Sequence, residues 1–125
     1  MNKKLLVVDD EPGIRRLMRL TLEETGCEII EAENGAKALE LVKTERPTLV
    51  LMDIHLTKED GLAALGKIRD IDPDLAVIMM TSDCDEKNAR LALENGARDF
   101  LTKPFTRRTL RTSVWSNLTS SLQEL

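Results

Sequence analysis

Five polar positions close or directly follow separate apolar runs: Asp9-Asp10 after Leu5-Val8, Asp53 after Leu49-Met52, Thr81 after Ala76-Met80, and Lys103 after Phe100-Leu101. If these runs are parallel strands, three carboxylates, a hydroxyl and an ammonium emerge together at one edge of one sheet. Clustered carboxylates repel unless a counter-charge is near. A hard divalent cation taking oxygen ligands relieves the repulsion, and Mg²⁺ suits a site of one or two carboxylates, waters and a phosphoryl oxygen. Asp53 can act as a metal ligand or as a nucleophile, since carboxylates form aspartyl phosphates. Phosphoryl transfer asks chiefly for positioning and charge neutralisation. Lys103 brings charge, and Thr81 brings a hydroxyl for a phosphoryl oxygen. Taken singly, each residue has an ordinary reading: a solvated turn for Asp9-Asp10, a strand residue for Thr81, a snorkelling edge lysine for Lys103. The functional reading rests on their joint placement.

That placement depends on the elements between them. β-type runs alternate with helical patterns, as in repeated strand–helix units. Pro12 suits a first helical position, Ile14, Leu17, Met18 and Leu22 make a stripe, and Gly26 is a stop. A second helix runs from Gly35, capped by Asn34, to Arg46, where Pro47 ends it. A third spans Leu62 to Ile71. The fourth starts in the acidic Asp83-Glu86 stretch and ends at Gly96, and the fifth begins near Thr106 with Leu110, Val114, Leu118 and Leu122 on one face.

The continuously apolar runs at 5–8, 49–52 and 76–80 read as strands covered on both faces. The more polar Glu28-Glu33 and Asp99-Lys103 belong at edges. The expected fold is a doubly wound α/β domain with a five-stranded parallel sheet, order 2-1-3-4-5, and five helices. Right-handed crossovers place helices on both faces. Such sheets bind ligands at the carboxyl ends of their strands, beside the switch between strands 1 and 3, where Asp10 and Asp53 stand.

Composition narrows the class. A chain of 125 residues with 42% hydrophobic and 32% charged content fits one globular domain. Phe100, Phe105 and Trp115 are its only aromatic residues, so the core must be aliphatic. The net charge of −4 argues against a general nucleic-acid surface. The apolar runs are too short to span a membrane, and Met1-Asn2-Lys3-Lys4 leads into a strand, not a signal peptide. Cys27 and Cys84 have no metal or redox spacing and fit a reducing compartment, so cytoplasm is the expected location.

Leu5-Leu6-Val7-Val8-Asp9-Asp10-Glu11, Leu51-Met52-Asp53-Ile54, Asp60-Gly61, Met80-Thr81-Ser82 and the run Gly96 to Phe105 resemble, in order, the motifs of a CheY-like receiver domain of two-component response regulators. The resemblance covers nearly the whole chain, with one domain expected over 1–125 and its core over about 4–122. It implies that a histidine kinase or histidine phosphotransfer protein phosphorylates Asp53. It also implies that Asp10 binds Mg²⁺ (Mn²⁺ as alternative) directly, with Asp53, that Asp9 does so largely through water, and that the backbone carbonyl of His55 completes the protein ligands. Thr81 and Lys103 would contact the phosphoryl group, Phe100 is the switch aromatic, and Lys103-Pro104 matches a peptide bond that is usually cis. Output would pass through the face of the fourth helix, fifth strand and fifth helix, to an effector domain or partner protein or within a phosphorylation-dependent homodimer. Arg107, Arg108 and Arg111 read as a solvated basic face or, with Leu91, as part of that partner surface, and Trp115 reads equally as part of it or as ordinary packing.

Thr57 departs from the family, which usually has proline there, and Ser82 stands where alanine is commoner. The side chain of His55, the only histidine, is expected to be an exposed loop group. A sharper reading has it tune water access to the acyl phosphate with Asp83. Two other classes fit less well. An Asp-nucleophile phosphatase would want a second acid near Asp53, where His55 stands. A flavodoxin-like cofactor binder would want a Gly/Ser/Thr-rich phosphate loop after strand 1, where this chain has acids. The expected protein is a switch that catalyses only phosphoryl transfer to and from its own Asp53, with Asp53 and Lys103 as the reacting pair. The chain reads equally as a complete regulator or as the receiver of a larger one, and neither its kinase nor its output is named by its residues.

Overall fold

A computed structural model describes residues 3–56, 59–82 and 86–123. Five parallel strands form one sheet: β1 (Lys4–Val8), β2 (Glu28–Ala32), β3 (Leu49–Asp53), β4 (Ala76–Thr81) and β5 (Asp99–Thr102). Their spatial order is β2-β1-β3-β4-β5, as the strand composition predicts. Five helices connect and extend them: α1 (Pro12–Leu22), α2 (Gly35–Glu45), α3 (Gly61–Ile71), α4 (Glu86–Glu94) and α5 (Arg107–Gln123).

The pleat divides the apolar runs by alternate residues. Leu6, Val8, Val50, Met52, Val77 and Met79 pack with Ala38 and Val42 of α2, Ala64, Leu65 and Ile68 of α3 and Ala92 of α4. Leu5, Val7, Leu49, Leu51, Ile78 and Met80 face the other way, against Met18 and Leu22 of α1 and Leu110, Val114 and Leu118 of α5. Strands β1, β3 and β4 are buried on both faces, which is why they read as unbroken apolar runs.

Local signals fix most helix ends. The Asn34 side chain accepts from the Lys37 amide at 2.8 Å, and Asn34 itself is extended, so it caps α2. Asn34→Ala should cost about 1 kcal/mol, measured as a lower urea midpoint at unchanged slope. After α1 a 3₁₀ turn, Glu23–Thr25, closes on Gly26 at φ 77°, a left-handed position that favours glycine.

Some expectations move. β2 stops at Ala32 and β5 at Thr102, while α3 begins at Gly61 and α5 at Arg107. Leu17 is 46% exposed and not part of the buried stripe: Met18, Thr21 and Leu22 fill the arc of α1 that faces the sheet. A short antiparallel ribbon, His55–Leu56 with Glu59–Asp60, lies between β3 and α3. Thr57, Asp83, Cys84 and the side chain of Leu122 lie outside the described residues. Among the described residues, no helix is long and apolar enough to cross a membrane.

Candidate functional site

Three ladder extensions carry the polar residues past the strand ends. The Asp9 amide donates to the Ala32 carbonyl at 3.2 Å, prolonging the β1–β2 pairing by one residue. The Ile54 amide donates to the Met80 carbonyl at 2.8 Å, doing the same for β3–β4, and the Lys103 amide donates to the Thr81 carbonyl at 2.6 Å beyond β5. Backbone hydrogen bonding thus holds Asp9, Asp53 and Lys103 at one edge of the sheet.

Their side chains meet there. The Lys103 ammonium donates to Asp9 Oδ2 at 2.6 Å and to Asp53 Oδ2 at 2.8 Å. Each carboxylate turns its other oxygen to a nearby amide: Asp9 Oδ1 accepts from Glu11 at 3.0 Å, and Asp53 Oδ1 from His55 at 2.9 Å. Asp10 completes the cluster, with one carboxylate oxygen from each of Asp9, Asp10 and Asp53 lying within 4.8 Å of the others. Asp9 and Asp53 are buried and Asp10 is half-buried, toward solvent. With all groups ionised, three carboxylates against one ammonium leave a net negative site. Hard oxygen donors in excess of local positive charge fit a divalent cation of the Mg²⁺ kind.

Burial of the Lys103 ammonium works against its charge, but hydrogen bonds and Coulombic attraction from Asp53 and Asp9 outweigh it and raise the pKa above 10.5. The amine is therefore a fixed cation at neutral pH. Thr81 is fully buried as the last residue of β4, one position beyond the Asp53–Met80 pairing. The Lys103-Pro104 bond is cis. Phe100 is half-buried on the α2–α3–α4 side of the sheet, and the His55 side chain is exposed. The water-access expectation for His55 involves Asp83, which lies outside the described residues.

Two contacts at the site are not evident in sequence, although Asp60-Gly61 is among its motifs. Gly61 donates its amide to the Ile54 carbonyl at 2.7 Å, and a Cβ on it would overlap the Asp53 carbonyl oxygen. Arg15 donates to the Asp9 carbonyl at 2.5 Å. Both contacts involve backbone atoms, which residue types do not advertise.

On the β5–α5 side, the Asp99 carboxylate accepts from the Phe100 amide at 2.8 Å and from the buried Ser113 hydroxyl at 2.5 Å, tying β5 to α5. Trp115 is 48% exposed and Leu93 is 52% exposed, whereas Leu91 is half-buried. Arg107 and Arg108 are exposed, and Arg111 pairs with Glu24 at 3.0 Å.

Doubly wound sheets bind ligands at the carboxyl ends of their parallel strands, beside the reversal of strand order where this lysine-bridged acid cluster stands. The chain belongs to the response regulator receiver domain family, whose model matches residues 5–115. It is 40% identical over 114 residues to the alkaline phosphatase synthesis transcriptional regulatory protein PhoP of Bacillus subtilis, covering 91% of this chain and 48% of that one. It is 38% identical over 120 residues to the chemotaxis protein CheY of Halobacterium salinarum, covering 96% of this chain and 100% of that one. A CheY-like receiver domain protein from Methanospirillum hungatei superposes with a TM-score of 0.94 at 28% identity, over 100% of both chains. The chain thus spans about half of the PhoP relative and the whole of the CheY relative.

Proposed function

We propose that this receiver domain is a phosphorylation-controlled switch in which Asp53 accepts a phosphoryl group from a histidine kinase or histidine phosphotransfer protein. The observation that carries the reading is the Lys103 ammonium bridging Asp9 and Asp53 beside Asp10. One oxygen of Asp53 attacks phosphorus, and the donor's P–N bond breaks with its electron pair returning to the imidazole nitrogen. The His55 amide holds one Asp53 oxygen, so the carboxylate is oriented before the donor arrives. Asp10 and Asp53, with the His55 backbone carbonyl, would hold Mg²⁺ or Mn²⁺, and Asp9 would act largely through water. Bound there, the cation would neutralise charge on the transferring group.

Lys103 already pairs with Asp53 and turns to a phosphoryl oxygen once the acceptor is esterified. Thr81, at the neighbouring strand end, supplies a hydroxyl to another. Its inward movement leaves space that Phe100 fills, and the β5–α5 surface responds through the Asp99–Ser113 bridge. Phosphorylation shifts this equilibrium only by the difference in its contacts between the two states. The domain spans the whole chain and works in the cytoplasm. It turns over no outside substrate and passes its state through α4, β5 and α5 to an effector domain, a partner protein or a second copy.

The test is incubation with a small phosphodonor and Mg²⁺, then intact-mass measurement. One base-labile phosphate adduct is expected, not formed when chelator replaces Mg²⁺ and absent in Asp53→Asn. An adduct that persists in Asp53→Asn, or no adduct in the unaltered chain, would sink the reading.

A further inference from the structure

We infer that Arg15 is a positioning residue for the cation site: by gripping the Asp9 carbonyl it fixes the peptide from which Asp10 departs, and Glu31 holds it there. The inference rests on the reading that the aspartate cluster binds a divalent cation. Arg15 lies in the early part of α1 with its side chain 15% exposed. Its Nη1 donates to the Asp9 carbonyl at 2.5 Å, and its Nε donates to Glu31 Oε1 at 3.2 Å. Glu31 stands on β2, paired in register with Val7 of β1. Its second oxygen accepts from Arg19 Nε at 2.8 Å. Two arginines one helical turn apart thus clamp one carboxylate, and one of them reaches through to the loop that carries the acids.

That reach bears on a particular degree of freedom. The Asp9 amide is held by Ala32, and its carboxylate by the Glu11 amide and Lys103. The Asp9–Asp10 peptide lies between these holds, and its orientation sets where the Asp10 Cβ points. The guanidinium engages the carbonyl of that peptide. Groups that orient a metal ligand without touching the metal commonly control affinity by roughly 10- to 100-fold. An arginine suits the role because its planar fork serves the carbonyl and Glu31 together, which a lysine's single ammonium does less well.

The sign of the effect separates this role from a bare charge. A guanidinium beside a cation site repels the cation, so removing it should tighten binding if charge were its only influence. If it positions Asp10, removing it should weaken binding despite the lost repulsion. A role confined to holding α1 against β2 would lower the melting temperature and leave the dissociation constant where it was.

The experiment is an NMR titration of backbone amides with MgCl₂, with thermal melts alongside. Arg15→Met should weaken Mg²⁺ binding about tenfold or more. Arg15→Lys, which keeps the charge and loses the fork, should also weaken it. Arg16→Met, in which a neighbouring cation is removed from the same helix, should bind as the unaltered chain does or slightly tighter. Equal or tighter binding by Arg15→Met overturns the inference. Should that variant fail to fold, wild-type affinity in Arg15→Lys overturns it instead. No Mg²⁺ binding by the unaltered chain removes the cation reading itself, whereas normal binding with unaffected Arg15 variants removes this inference alone.

Discussion

Lys103→Met should destabilise the metal-free domain by about 2–3 kcal/mol, and millimolar Mg²⁺ should recover most of the loss. Removing one partner of a buried ion pair commonly costs roughly 3–5 kcal/mol, because the remaining charge stays buried and unpaired. Here two carboxylates lose the same cation. The lower figure applies because the lysine side chain is 12% exposed and the cluster opens to solvent through Asp10, which lets water screen the carboxylates that remain. For a domain of this length the melting temperature should fall by roughly 10 °C in chelator. A ligand that binds only the folded state stabilises it by mass action, and a cation among the same carboxylates replaces the missing ammonium.

The raised Lys103 pKa sets the pH dependence. A group whose folded pKa exceeds its unfolded value contributes fully below the unfolded value, here 10.5, and loses that contribution as pH rises through the folded one. On the alkaline side, the stability gap between wild type and Lys103→Met should therefore persist until pH passes 10.5. A gap that closes on the alkaline side before pH 10.5 is reached would show that the ammonium is not the stabilising group. Phosphoacceptance should fall as well, since the variant lacks the cation that meets the new phosphoryl charge.

Gly61→Ala should be nearly as disruptive, though it adds a single methyl group. Its Cβ would overlap the Asp53 carbonyl oxygen and lie 2.7 Å from both the Cα and the carbonyl oxygen of Ile54. All three are backbone atoms, so no side-chain rotation relieves the overlap. Overpacking of this kind costs about 1–3 kcal/mol, and alanine's advantage inside a helix returns less than about 1 kcal/mol at the first position of α3. The larger effect falls on the acceptor. Strand β3 can yield only by moving Asp53, and a displacement of about 1 Å at a reacting group can cost about 100-fold in rate. Phosphorylation by a small phosphodonor should slow by at least about tenfold, against a urea midpoint that falls moderately. A phosphorylation rate equal to wild type would mean that the loop gives way without shifting the acceptor.

How far the residues foretell this arrangement depends on which atoms each contact involves. Leu5-Val8, Leu49-Met52 and Ala76-Met80 are covered on both faces, so their runs are unbroken and their ends are sharp. Asp9, Asp53 and Thr81 can be placed at one edge for that reason. The sheet order is legible in the charges on Glu28 and Asp99 at the outer strands. Leu17 departs from its stripe because helical spacing alone does not say how wide an arc the sheet covers, and Met18 and Leu22 suffice to fill it. The ribbon at His55–Leu56 and Glu59–Asp60 has two-residue strands, too short for any periodicity. Arg15 and Gly61 act on carbonyls, and a carbonyl is the same at every position in the chain.

The Lys103 bridge joins residues 94 positions apart in one direction and 50 in the other. During synthesis, Asp9, Asp10 and Asp53 leave the ribosome well before the lysine that balances them. A growing chain that has reached only α4 carries the three carboxylates without their lysine and without the outermost strand. The acid cluster would then gain its counter-charge late, with β5 and the lysine just beyond it.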